Sequence, residues 1–225
     1  MRDIITTHDT QELDVLVFPE LLSVAEEMLF EDKVWLQSQI NNETVLIDSK
    51  VTAKGEETVL EAYSATLQTS EVIPVYEKQF LMPMGEYIPQ IVADTFKILS
   101  LHELFDSARA QVSEHHAGSV QETMTIAGVS TEVRFCSEIL SPSLYQVNKS
   151  NRPALMINLA SHSFFGSNPL LLAQLKDVAK VRAVENHAYY LQATNGSPAL
   201  AINPRGQVIG SSETPEGILV VTLRH

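Results

Sequence analysis

The sequence predicts a layered α/β domain. Three observations carry that expectation: short apolar runs of strand length recur along the chain, helical patterns separate several of them, and turn signals join others into hairpins. At 225 residues the chain is long enough for one domain with a substantial core.

Taken in order, "DVLVFPE" (residues 14–20) is a short apolar strand closed by Pro19, reaching its carboxyl end at Glu20. "LLSVAEEMLFEDKVWLQSQI" (21–40) spaces Leu22, Ala25, Met28, Leu29, Val34 and Leu36 loosely as one helical face. "TVLIDSKVTA" and "ETVLEAYSATLQT" are β-rich runs around Gly55, which predicts a hairpin. "VIPVYEKQF" is a strand that runs into "LMPMGEYIPQ", whose two prolines and one glycine predict a long ordered loop. Residues 91–118 read as a weak helix followed by a polar linker. "SVQETMTIAGVSTEVRF" gives two strands around Gly128, the second feeding directly into Cys136. "PALMINLA" (153–160) is a further strand. "NPLLLAQLKDVAKVRAVENHAYY" is the clearest helix, with Asn168 as its cap and Pro169 at its first position. "YYLQATNG" and "SPALAINPRGQVIG" are strands, the latter turning at residues 203–206, and "GILVVTL" closes the chain.

Composition narrows the function classes. Hydrophobic residues make up 44% and charged residues 19%, too apolar for a disordered chain. A formal net charge of −13 argues against nucleic acid, whose phosphates require clustered Lys and Arg. The single cysteine rules out an internal disulfide. The start, "MRDIITTHDTQELD", contains no apolar run of the signal-peptide kind. The longest stretch free of Asp, Glu, Lys and Arg, residues 153–175, holds Asn158, His162, Asn168, Pro169 and Gln174 and is too polar to span a membrane. No metal or cofactor is expected.

In layered α/β sheets chemistry collects at strand carboxyl ends, and three ionisable groups fall there: Glu20, Lys78 and Cys136. Each alone has a plain explanation, because a buried thiol packs as a small apolar group, a glutamate caps helices and most lysines are solvated. Together they form an acyl-transfer kit. A thiol attacks as thiolate, a carboxylate can take its proton, and an ammonium with the backbone N–H of Ser137 can hold an oxyanion.

The motifs around these residues are those of a known family. "VFPE", "YEKQFLMPMGEYIP", "FCSEI" and "KVRAVENHAYYLQATNG" resemble the glutamate, lysine and cysteine segments, and the helix and strand that follow, of the nitrilase (carbon–nitrogen hydrolase) superfamily. Within it, the lysine loop and the Cys-x-Glu of Cys136 and Glu138 are similar to the apolipoprotein N-acyltransferase branch. That resemblance implies a four-layer αββα sandwich in one domain spanning residues 1–225, which looks N-terminally truncated because the family's first strand and helix normally precede "DVLVFPE". It implies Glu20 as general base, Lys78 as oxyanion stabiliser and Cys136 as nucleophile, with Glu86, Glu138 and Ser137 in support. Phe80, Met82, Met84, Phe164 and Phe165 would line the substrate mouth.

The implied reaction moves an acyl group from a phospholipid to Cys136 and then to the N-terminal amine of a lipoprotein. A separate or missing membrane part and a place on the extracytoplasmic face of a bacterial membrane follow from the same resemblance. Two other readings stand beside it: a soluble, cytoplasmic amidase using the same triad, and an inactive truncated remnant. This chain departs from the branch at Ser137, where tyrosine is usual, and at Phe164, where tryptophan is usual.

Overall fold

The computed structural model describes residues 13–21, 35–36, 38–68, 72–110, 112–145, 152–163, 168–215 and 217–223. Its frame starts from a long hairpin. Strands β2 (Val45–Lys54) and β3 (Glu57–Thr66) pair antiparallel along their whole length, from Val45 opposite Thr66 to Lys54 opposite Glu57. Gly55 makes the reversal possible, because its φ of +68° lies in the left-handed region that side chains resist. β1 (Val15–Val17) joins the free edge of β2 in parallel, and β4 (Val72–Glu77) joins β3 antiparallel, giving a sheet of order β1-β2-β3-β4.

After β4 the chain forms two short helices, α1 (Gln90–Ile98) and α2 (His102–Arg109). The sequence reading of one weak helix and a linker over 91–118 is corrected on this point. Both are short, nine and eight residues, and neither buries any residue, so the stretch offers no window long enough for a helical period to stand out.

The second sheet has the order β10-β9-β8-β7-β6-β5. Its centre is the parallel set β6 (Val129–Phe135), β7 (Leu155–Ser161) and β8 (Tyr189–Asn195). β5 (Met124–Ile126), β9 (Leu200–Ile202) and β10 (Val208–Ser211) add antiparallel edges. Helix α3 (Pro169–Asn186) crosses from β7 to β8. It starts as its sequence dictates: the Asn168 side chain accepts from the N–H groups of Leu170 and Leu171 at 3.1 and 3.3 Å, and Pro169 occupies a position where no N–H is needed.

Strand alternation then sorts the core into layers. Ile47, Leu60 and Ala62 from the first sheet meet Val133, Phe135, Leu155, Ile157 and Leu159 from the second. On the far side of the second sheet, Met156, Tyr190 and Ile202 pack under Leu175, Ala179 and Ala183 of α3. On the far side of the first, Leu46 and Ala65 pack with Leu36 and Ile40, next to the helical residues Trp35, Leu36, Ser38 and Gln39. The result is an α/β fold of four layers, helix–sheet–sheet–helix. Most of the helix read over residues 21–40 lies outside the described residues. Residues 217–223, which hold "GILVVTL", lie in no strand.

Candidate active site

Three chain segments meet at the carboxyl ends of β1, β4, β6 and β7. Beyond β1, the N–H of Phe18 donates to Ile47 O at 2.9 Å and that of Leu21 to Ser49 Oγ at 2.9 Å, fixing the turn that carries Glu20. Leu21 adopts φ +64°, a costly conformation for a branched side chain, directly beside the carboxylate. Beyond β4, Lys78 is clamped on both sides: its N–H donates to Leu60 O at 2.9 Å, and its carbonyl accepts from Gly118 N–H at 2.8 Å. Beyond β6, Cys136 opens a 3-10 turn, Cys136–Leu140, followed by a second, Pro142–Tyr145. The segment is 3-10 rather than α, since Pro142 interrupts any continuous α-helix.

The ionisable side chains converge. Lys78 Nζ donates to Glu20 Oε1 at 3.0 Å and to Glu86 Oε1 at 2.5 Å, with Lys78 only 1% exposed and Glu20 4%. Glu86 is itself held, because its Oε2 accepts from Met82 N–H at 2.7 Å. The Sγ–H of Cys136 donates to Ser161 O at 3.6 Å, and the Ser161 backbone lies near enough to the Glu20 carboxyl to pull it down. Ser161, at the end of β7, thus touches both the thiol and the carboxylate. Ser137 is buried and its hydroxyl donates to Phe80 O at 3.3 Å.

Glu138, with no exposed surface, ties two of these segments together. Its Oε2 accepts from Phe135 N–H at 2.8 Å, next to Cys136. Its Oε1 accepts from the Tyr76 hydroxyl at 2.7 Å, Gln79 N–H at 2.7 Å and Phe80 N–H at 3.0 Å, on either side of Lys78. Tyr76 is the participant that sequence reasoning missed. It lies in β4 two residues before Lys78, but an aromatic residue in a strand reads simply as core.

Electrostatics distinguish the groups. Burial raises the Glu20 carboxyl above the usual carboxylate range, although Lys78 pulls it down. The Lys78 ammonium is raised, since Glu20 and Glu86 outweigh the cost of its burial. The Cys136 thiol is pushed up to about 12 by burial and the nearby Glu20 charge, against the pull of Lys78. The resting site is therefore a neutral thiol beside a carboxylate that can accept its proton, with a permanent cation between two acids. Burial lowers both neighbouring histidines, His115 and His162 (the latter to about 4), so both are neutral at pH 7.

The loop after Lys78 leaves Phe80 and Met84 exposed at 41% and 42%, with Met82 half-buried. Phe164 and Phe165 lie outside the described residues. Among the described residues no cluster of His, Cys, Asp and Glu could hold a metal ion, and no helix is long and apolar enough to cross a membrane. One close approach supports the lysine clamp: a Cβ on Gly118 would sit 2.1 Å from Glu77 Cβ. Gly118→Ala is expected to cost about 1–3 kcal/mol by overpacking, read as a lowered thermal midpoint, and an unchanged midpoint would contradict the clamp.

No protein-family model matches the chain. In sequence it is 29% identical over 145 residues to an apolipoprotein N-acyltransferase of Aquifex aeolicus, covering 64% of this chain and 30% of that protein. It is also 29% identical over 136 residues to one of Nitrosomonas europaea, covering 60% and 25%. The matched stretch thus spans under a third of those relatives. In fold it is similar to an alanine mutant of a nitrilase-superfamily amidase from Nesterenkonia AN1, with TM-score 0.62 and 15% identity over 93% of this chain and 76% of that one. It is similar as well to a CN-hydrolase superfamily protein from Xanthomonas campestris with an arsenic adduct in its active site, with TM-score 0.61 and 13% identity over 96% and 79%. Sequence and fold similarity agree with the resemblance read from the motifs: the fold is like that of nitrilase-superfamily proteins, and the sequence is similar to apolipoprotein N-acyltransferases.

Proposed function

We propose that the protein is a thiol acyltransferase in which Cys136 takes an acyl group from a phospholipid and passes it to the N-terminal amine of a lipoprotein. The observation that carries this reading is the Glu20–Lys78–Glu86 ion cluster, buried beside a neutral Cys136 thiol that shares Ser161 with Glu20. In the first half-reaction Sγ attacks the donor's ester carbonyl as its proton passes to Glu20. The developing oxyanion is held by Lys78 Nζ and the N–H of Ser137. Collapse breaks the ester C–O bond, and Glu20 returns the proton to the departing alcohol. In the second half the amine attacks the thioester carbonyl and gives a proton to Glu20. The C–S bond then breaks, and the departing sulfur recovers that proton as the amide forms.

The raised Glu20 carboxyl suits this work, since a base is most effective when its pKa approaches the working pH. A phospholipid donor is supported by the sequence relatives, named apolipoprotein N-acyltransferases, and by the apolar side chains exposed next to Lys78. The chain continues from that loop into α1 and α2, where Ile91, Ile98, Leu99 and Leu104 are between 59% and 81% exposed. Such a rim suits acyl chains. Replacing Phe80 and Met84 together by serine is expected to raise KM for long-chain donors about 10-fold while sparing a short-chain ester. An equal loss with both donors would count against an acyl-chain role.

The solved fold relatives favour a second reading, an amidase. In one, acrylamide is found added at the active-site cysteine of the Nesterenkonia amidase. Both readings pass through acylation of Cys136 and differ in donor, an ester or an amide, and in acceptor, an amine or water. Incubation with phospholipid vesicles should give a hydroxylamine-labile mass gain on Cys136, discharged by a diacylglyceryl-cysteine peptide to an amide. Ammonia release from simple amides with no acylation by lipid would establish the amidase instead.

A further inference from the structure

Glu138 is a buried carboxylate that receives four hydrogen bonds, three from backbone N–H groups and one from a side chain, the Tyr76 hydroxyl. Its two oxygens face different catalytic segments. Oε2 holds the end of β6 at Phe135, one residue before the nucleophile. Oε1 holds Gln79 and Phe80, immediately after Lys78. The carboxylate therefore sets the spacing between the cysteine backbone and the lysine backbone, and it can do so only while ionised, since a protonated oxygen accepts fewer bonds.

Tyr76 is built to keep it that way. The residue is 1% exposed, and its ring lies under the Arg134 guanidinium, 4.7 Å from the ring centroid, and beside Phe135 at 6.1 Å. Arg134 is in turn fixed by Glu132 Oε2 at 2.7 Å and by the Val133 carbonyl at 2.9 Å. The ring is thus immobilised, and its hydroxyl has one acceptor to serve. An arginine over the ring face makes the phenol a stronger donor and places positive charge behind it.

We propose that Tyr76 is a positioning residue for acyl transfer: by donating to Glu138 it keeps that carboxylate ionised and so holds Lys78 in register with Cys136. This rests on the acyl-transfer reading above. Burial raises Glu138, and its hydrogen bonds, that of Tyr76 among them, oppose the rise. The groups near it are the Tyr76 and Tyr145 hydroxyls, the Arg134 guanidinium paired with Glu132, and the adjacent Lys78 engaged by Glu20 and Glu86. Losing the phenol donor lets Glu138 take up a proton at higher pH.

The test uses a p-nitrophenyl acyl ester, whose burst of p-nitrophenol reports acylation of Cys136 without needing lipid or acceptor. Tyr76→Phe keeps the ring between Arg134 and Phe135, so it should melt close to wild type. Its acylation rate constant at pH 7 is expected to fall about 10- to 100-fold with little change in KM, and the acidic limb of its pH profile to move to higher pH. In a Glu138→Gln background, where no carboxylate remains to keep ionised, the same substitution should cost less than about twofold. Full rate and an unshifted profile in Tyr76→Phe, or an equal loss in both backgrounds, overturns the proposal. Should Tyr76→Phe fail to fold, Glu138→Gln decides: an acylation rate constant at pH 7 equal to wild type overturns it too. Absence of any burst in the wild-type protein would instead reject the acyl-transfer reading.

Discussion

Cys136→Ala is expected to fold like the wild type and to lose thioester formation completely, with residual turnover reduced by about 10³-fold or more. The thiol makes one long hydrogen bond, to Ser161 O at 3.6 Å, and alanine removes a single heavy atom, so the substitution disturbs little packing. Loss of the thioester is total, because Cys136 is the single cysteine of the sequence. Cys136→Ser should be nearly as inactive, since a hydroxyl is harder still to deprotonate than a thiol already pushed up to about 12. That elevation also predicts the pH response. The proton must leave to Glu20, so the wild-type rate should fall as pH drops through the raised Glu20 pKa and the carboxylate becomes protonated. Glu20→Gln should form no thioester at any neutral pH. Mass spectrometry after incubation with donor reads all three variants, and acylation of Cys136→Ala at wild-type rate would sink the mechanism.

Much of this architecture is written locally, which is why it can be read from sequence. Gly55 in its left-handed turn sets the hairpin register, Asn168 and Pro169 start α3, and Cys136 follows an apolar strand that stops at Phe135. These signals depend on neighbours in the chain. What escapes is long-range. Tyr76 looks like any core aromatic until Glu138, 62 residues away, is seen to accept its hydrogen bond. Helices α1 and α2 are only nine and eight residues long and bury none of them, so no helical period has room to stand out. The extended turn after Cys136 is 3-10 rather than α because Glu138 folds back to the Phe135 N–H and Pro142 follows soon after. The elevated thiol was also beyond sequence, since it arises from burial and from a carboxylate 116 residues earlier, and both require the assembled sandwich.

Lys78→Met should be inactive and measurably less stable, and its stability should depend on pH in a way that identifies the cause. Methionine matches much of the lysine stem, so packing against Phe135 is retained while the charge is lost. Two carboxylates, Glu20 and Glu86, then face each other without the ammonium that now joins them at 3.0 and 2.5 Å. Leaving buried charge uncompensated costs about 3–5 kcal/mol. Removing Lys78 also deletes the ion pair and hydrogen bond that pull the Glu20 carboxyl down, so its folded-state pKa rises further above the unfolded value. A carboxyl raised in the folded state destabilises the fold increasingly as pH climbs from the unfolded pKa to the folded one, and that penalty disappears when the group is protonated. The thermal midpoint of Lys78→Met should therefore rise as pH is lowered from about 7 to about 5, relative to wild type over the same interval. A constant difference between the two proteins across that range would mean that the loss comes from packing, and that Lys78 is not the counter-ion of Glu20. On the activity side, loss of the oxyanion donor alone is worth about 10²–10³ in rate. The acylation burst should accordingly stay absent even at the pH where Lys78→Met is most stable, separating the chemical role of the ammonium from its part in holding the fold.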